Sequence, residues 1–212
     1  MTSTTAPAPT PAQGKRKQSS ILSDLLLAEH LDRRLDALDA LLADDPGRVP
    51  PLMGRWTVFA TYACDLDCFY CNTVRLGRGQ EAPMTPSLLG GLLAEHAESS
   101  IERLHLTGGE ASMLPRLPEM VAQATARGIG VSLTSNGMAS PTRYRALLDA
   151  GLAELRVSYE SHDEEVFDHR VRRSGASARV HQTLRALVAE RTARAFHLVL
   201  NVGVGTGTAG VV

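Results

Sequence analysis

Beyond residue 54 the chain alternates short β-branched runs with longer stretches whose apolar residues recur at helical spacing, the pattern of repeated βα units on a parallel sheet. The predicted strands are 55–61 (RWTVFAT), 102–107 (ERLHLT), 129–134 (IGVSLT), 154–159 (ELRVSY) and 196–203 (FHLVLNVG). The predicted helices cover about 86–98, 116–127, 141–150 and 177–191. Thr85-Pro86 and Ser140-Pro141 are helix-start signals, and Gly128 and Gly151 are stops behind the second and third helices. Five strands joined by four crossovers fit an α/β fold, a partial (β/α) barrel of the TIM type with about five to six parallel strands. A doubly wound open sheet reads the same along the chain.

Ahead of this region, residues 1–19 are rich in Thr, Ala, Pro and Ser and hold too little apolar surface to order themselves, so they read as a disordered tail. From Ser20 to Ala43 leucines recur at helical spacing with Asp, Arg and His between them, which predicts an amphipathic helix, and Asp45, Pro46, Gly47, Pro50 and Pro51 stop it. The expected organisation is therefore a tail over 1–19, an N-terminal helical extension and linker over 20–50, and a core domain over 51–212. A membrane-surface role for the helix fits poorly, because its polar face carries more acid than base.

Composition narrows the picture. Hydrophobic residues are 43% and aromatics only 4%, so the core must be built from Ala, Leu and Val. With 22 basic against 23 acidic residues the net charge is -1, and neither nucleic acid nor a membrane is an expected partner. No run approaches the roughly 20 apolar residues that cross a bilayer.

The 3 cysteines all lie in one run, CDLDCFYC, as Cys64, Cys68 and Cys71. Thiolates at this spacing converge on one soft metal centre if the backbone loops around it, and three ligands leave one coordination position open. Zinc would need a borrowed histidine, whereas an iron-sulfur cluster with one unligated iron needs nothing further. An odd count cannot pair fully as disulfides, and no secretory signal pattern is present, so a reducing cytoplasm is the expected compartment. The alternative is three thiols with no shared task.

The spacing Cys64-x3-Cys68-x2-Cys71, with Tyr70 before the third cysteine, resembles the cluster loop of radical S-adenosylmethionine (radical SAM) enzymes. The resemblance covers roughly residues 55–203. It implies that the cysteines hold a 4Fe-4S cluster whose fourth iron is chelated by the amino and carboxylate groups of S-adenosylmethionine. It further implies reductive cleavage of that cofactor to a 5′-deoxyadenosyl radical, which takes hydrogen from a substrate. Gly108, Gly109 and Glu110 resemble the family segment that contacts the methionyl amino group. Ser135 and Asn136 stand where the family places polar residues near ribose or substrate, and Ser158 with Arg170 resembles a cofactor-binding pair, with Arg172 or Arg173 as substitutes. Each motif has a plainer reading, respectively a turn, a strand-to-helix connection and a solvated basic face. An electron donor of the flavodoxin or ferredoxin type and a small-molecule or peptide substrate are implied with the family.

In a parallel α/β fold these loops all follow strand C-termini, so they face one rim. The seven histidines show no metal-ligand spacing, although His162 and His169 flank the fourth loop. The chain closes on GTGTAGVV, which suggests a barrel incomplete at its C-terminus. That keeps open a second reading, a non-catalytic or truncated iron-sulfur module that retains the cluster but not turnover.

Overall fold

The structure is a computed structural model that describes residues 54–73, 82–97 and 101–203, with Asp36 and Ala43 as two isolated helical positions. Apart from those two positions, the expected tail and the leucine-rich helix with its linker lie outside the described residues. The chain divides between Leu52 and Met53, and every element below belongs to the second unit.

In chain order the elements are β1 (Arg55–Thr61), α1 (Pro86–Glu95), β2 (Arg103–Gly108), a 3-10 turn (Ala111–Met113), α2 (Leu117–Thr125), β3 (Gly130–Ser135), α3 (Pro141–Asp149), β4 (Leu152–Tyr159), α4 (Glu164–Val171), α5 (Ala176–Glu190) and β5 (His197–Val202). All four strand pairs are parallel, and the spatial order β1-β2-β3-β4-β5 is the chain order. A doubly wound sheet would reverse its order at a switch point. Winding in one sense, with β1 and β5 as the edges among the described residues, is the topology of a partial (β/α) barrel.

Period-2 alternation sorts the strand residues onto two faces. Ala60, Leu104, Leu106, Val131, Leu133, Leu155 and Val157 are buried in one cluster with Leu89, Leu93, Leu117, Met120, Tyr144, Leu147, Phe167 and Val180 from the helices. Each such side chain contributes about 1.5–3 kcal/mol over leaving it in water. The opposite face carries Arg55, Thr57, Arg103, His105, Ser132, Thr134, Glu154, Arg156, Ser158 and His197, none of them buried. The barrel is therefore apolar outside, under its helices, and polar within its lumen. β5 is the least covered strand, with Leu200 and Val202 about half exposed.

The helix starts arise as their sequences require. Thr85 Oγ1 accepts from the Leu88 amide at 3.2 Å and Ser140 Oγ from the Arg143 amide at 3.2 Å, each with proline in the following position. Gly151 follows α3 with φ 99°, where a Cβ would also strike Thr125.

One helix departs from expectation. The sequence predicts no helix between the strand ending at 159 and the helix starting at 177, yet residues 164–171 form α4. Its end signals lie in the sequence: Asp163 Oδ1 caps the Val166 amide at 3.0 Å, Glu164 and Glu165 occupy the first turn, and His169 and Arg170 the last.

Candidate cluster and cofactor site

The cysteine loop leaves the end of β1 and lies directly against the end of β2. The Gly109 amide donates to Thr61 O at 2.6 Å and the Glu110 amide to Ala63 O at 2.8 Å. A Cβ on Gly108, whose φ is 130°, would stand 2.2 Å from Thr61 O, and one on Gly109 would stand 2.2 Å from Ala63 O. The double glycine thus exists first to let two backbones meet. Because those amides are committed, what this segment leaves toward the cleft is carbonyl acceptors rather than amide donors.

A second strap comes from α4. The Asp67 amide donates to Val171 O at 3.2 Å and the Phe69 amide to Arg170 O at 3.4 Å, so the cysteine loop satisfies carbonyls that a helix end leaves without partners. Arg172 pairs with Asp67 at 3.4 Å, and Arg173 donates to Asp65 O at 2.8 Å. Both arginines therefore hold the loop rather than face the cleft.

The third strap begins at Glu110, which is 1% exposed. Its carboxylate accepts from the Ser112 amide at 3.0 Å, from Ser135 Oγ at 2.9 Å and from the Asn136 amide at 2.6 Å. Ser135 also bonds Tyr144 Oη at 2.7 Å. Asn136, fixed in this way, donates from Nδ2 to Asp65 Oδ1 at 2.7 Å and to Cys64 Sγ at 3.8 Å. Burial pushes the Glu110 carboxyl up, against the pull of these hydrogen bonds.

These loops enclose a cleft of about 160 Å³ lined by Cys64, Cys68 and Cys71 together with Tyr70, Gly108, Gly109, Glu110, Ser135, Asn136, Ser158 and Glu160. The loops behind four consecutive strands thus close on one rim. The three thiols are half-buried. Burial, with Cys64, Glu160 and Cys71 nearby, pushes Cys68 up to about 11 against a hydrogen bond from Tyr70.

Arg170 is the expected site residue that the cleft does not include. Its Nη1 lies 3.2 Å from Glu160 O, 3.4 Å from Gly203 O and 3.7 Å from Glu160 Oε2. Glu110 lies on the wall, but its oxygens are taken up by the fold. Glu160, 8% exposed, carries no assigned part in the sequence reading, yet it bonds the Tyr70 hydroxyl and pairs with Arg170. The signal that marks it is its place just beyond the C-terminal end of a barrel strand.

The model of the radical SAM superfamily matches residues 58–206 of this chain. The chain belongs to that superfamily. Among curated relatives it is 32% identical over 133 residues to a "Probable GTP 3′,8-cyclase" of Halobacterium salinarum, covering 60% of this chain and 36% of that protein. It is 34% identical over 110 residues to a "PqqA peptide cyclase" of Rhodopseudomonas palustris, covering 51% and 29%. The chain spans about a third of the length of these relatives. Two solved structures share the fold: "Native anSMEcpe with bound AdoMet" has a TM-score of 0.56 at 14% identity, over 70% of this chain and 42% of that one. Methylornithine synthase has a TM-score of 0.55 at 16% identity, over 72% and 44%.

The radical SAM family brings a 4Fe-4S cluster and S-adenosylmethionine as its cofactors. The donor set of this cleft suits such a cluster. Cys64, Cys68 and Cys71 bring three soft sulfur donors to one cleft. Among the described residues that line the cleft there is no histidine to complete a zinc site.

Proposed function

We propose that Cys64, Cys68 and Cys71 ligate the 4Fe-4S cluster and that the remaining cleft residues hold S-adenosylmethionine at its open iron, making this radical SAM chain a catalyst of hydrogen abstraction. The convergence of four strand-end loops on one cleft beside three thiols supports this most directly. When bound, the reduced cluster and S-adenosylmethionine supply a 5′-deoxyadenosyl radical.

The chain's own residues have definable tasks. Gly108 and Gly109 offer backbone carbonyls to the methionyl amino group, and Ser158 offers a hydroxyl to the sugar or carboxylate. Asn136 and the Leu66 amide, 3.8 Å and 3.4 Å from Cys64 Sγ, stabilise negative charge on that sulfur. Leu66, Phe167 and Val171 supply an apolar wall that limits water. Glu160 holds Tyr70 and Arg170 around the cleft, so Arg170 reaches a cofactor carboxylate only if that pairing yields.

An electron donor and a small-molecule or peptide substrate complete the reading, the names of the relatives pointing to GTP and to the PqqA peptide. Among the described residues no helix is long and apolar enough to cross a membrane. The test is anaerobic reconstitution with iron and sulfide, followed by reduction with S-adenosylmethionine and assay for 5′-deoxyadenosine. The expected result is a brown protein with about four irons that releases this product. Stoichiometric zinc in a colourless protein would overturn the reading. A bound cluster without cofactor cleavage would leave only an iron-sulfur module.

A further inference from the structure

The N-terminal ends of the same strands enclose a second and larger cavity, of about 330 Å³, with no residue in common with the cysteine cleft. Its volume is within the range of small-molecule sites, about 300–1,000 Å³. Arg55, Arg103, Arg156 and His197 line it, with Glu154 as its acid and Ser132 as a neutral donor.

The register explains why the basic groups meet there. Arg55 on β1 pairs with Arg103 on β2, and Arg103 with Gly130 on β3, which adds no side chain to the row. The next row inward runs Thr57, His105, Ser132, Glu154, His197 across all five strands. Like charges directly opposite on neighbouring strands repel each other. Arg156 stands further in, in register with Thr134, and is paired with Glu154 at 2.5 Å. Among the described residues Arg55 and Arg103 make no side-chain hydrogen bond or ion pair.

His105 lies above this floor and shows that the arginine fields converge. Its Nδ1 is 2.9 Å from Ser132 Oγ and its Nε2 3.2 Å from Thr134 Oγ1. Burial first, then Arg55 and Arg156, hold its imidazole below the usual value. Two exposed guanidiniums without partners among the described residues, side by side at the N-terminal end of the sheet, match the planar forks that bind an oxyanion.

We propose that the floor of the lumen is an oxyanion-binding subsite, formed by Arg55, Arg103 and Arg156 with His197, that takes a phosphate or carboxylate group of the substrate. From Arg103 to Thr107 is four residues of strand, about 13 Å at the usual rise, while Arg156 stands two residues before Ser158. A molecule anchored at the floor and reacting at the rim is therefore elongated, with its anionic group at the end away from the reacting carbon. That link to substrate rests on the radical SAM reading. Anion binding itself does not.

Calorimetric titration of inorganic pyrophosphate and of glutarate into the full chain at low ionic strength, with and without reconstituted cluster, tests the proposal. Saturable binding of pyrophosphate alone assigns a phosphate-bearing substrate, of glutarate alone a carboxylate, and of both a general oxyanion pocket. Arg55→Gln and Arg103→Gln should each weaken that binding about tenfold or more, with cooperative thermal unfolding retained. No saturable binding of either anion, or unchanged affinity in the double variant, would overturn the subsite. Binding that persists in a colourless, cluster-free chain stands even where the radical reading fails. A brown chain that cleaves S-adenosylmethionine but ignores both anions defeats the subsite alone.

Discussion

The two ends of one five-stranded sheet are built on opposite principles. At the rim, polar groups are closed upon each other: Glu110 accepts three hydrogen bonds, Asn136 ties it to the cysteine loop, and α4 is capped by amides of that loop. At the floor, Arg55 and Arg103 face each other across neighbouring strands and their charge is left to solvent. Closed networks hold a shape, while spare charge of one sign waits for a counter-ion. The contrast assigns the rim to holding a cofactor in fixed geometry and the floor to electrostatic recognition.

The contrast breaks most completely if the rim does not depend on its thiols. Cys64→Ala, Cys68→Ala or Cys71→Ala should each take iron content from about four per chain to almost none after reconstitution. Iron and sulfide analysis with the visible spectrum reads this. Retention of full iron by any one variant would remove that residue from the ligand set. Next in size is Gly109→Ala, whose Cβ would meet two backbone carbonyls, Ala63 O at 2.2 Å and Tyr62 O at 2.7 Å. Backbone cannot yield as a flexible side chain can, so the expected cost is about 2–5 kcal/mol, together with loss of cluster loading. Thermal unfolding and iron content should fall together, and a stable variant with full iron would show that the two backbones need not be in contact.

Much of the rim was legible because its chemistry lies in short contiguous motifs. CDLDCFYC and TGGE carry spacing, and alternation places them behind strands. The Ser-Pro and Thr-Pro starts and Gly128 and Gly151 fix helix ends within a few residues. What sequence could not show is partnership across distance. Glu110 reads as a ligand because it follows two glycines, whereas burial converts it into a latch for Ser135 and Asn136, 25 and 26 residues away. Arg170 reads as a partner of Ser158 that binds a cofactor carboxylate, but Glu160 claims it. The helix over 164–171 was hidden because so polar a segment, with only Val166, Phe167 and Val171 apolar, resembles a loop. The floor was invisible for a further reason: Arg55, Arg103 and Arg156 belong to three strands, and only parallel register brings them to one cavity.

A smaller effect sharpens the comparison through stability. Glu110→Gln puts an amide N–H where a carboxylate oxygen accepts a backbone N–H, so one buried donor loses its partner at a cost of about 1–3 kcal/mol. Arg55→Gln and Arg103→Gln relieve a like-charge pair and should change stability by no more than about 0.5 kcal/mol. Denaturant titration of the three variants compares the two ends directly, and equal losses at both would erase the distinction. Glu110 also has a pH signature. Burial raises its carboxyl above the free value of about 4.3, so just above that value the folded chain keeps a proton that the unfolded chain has released. Its contribution to stability therefore falls as pH rises through that window, and the Gln variant should lack this component of the slope.

The finest probe is His105, which senses the floor without belonging to its arginine row. Its imidazole is held low by burial and then by Arg55 and Arg156, so below the unfolded value of about 6.5 the unfolded chain takes up a proton that the folded chain declines. The neutral ring's contribution is present above that value and is lost as pH falls through the window beneath it. Removing Arg55 lifts one repulsive field, and an anion bound at the floor screens both. In proton NMR titrations the His105 resonance should therefore move to a higher midpoint in Arg55→Gln, and in the native chain when pyrophosphate is added. The two shifts should not add, because the variant has lost part of the site that the anion needs. Full additivity would mean that the anion binds elsewhere, and an unmoved midpoint in the variant would mean that the arginine fields do not meet at this ring.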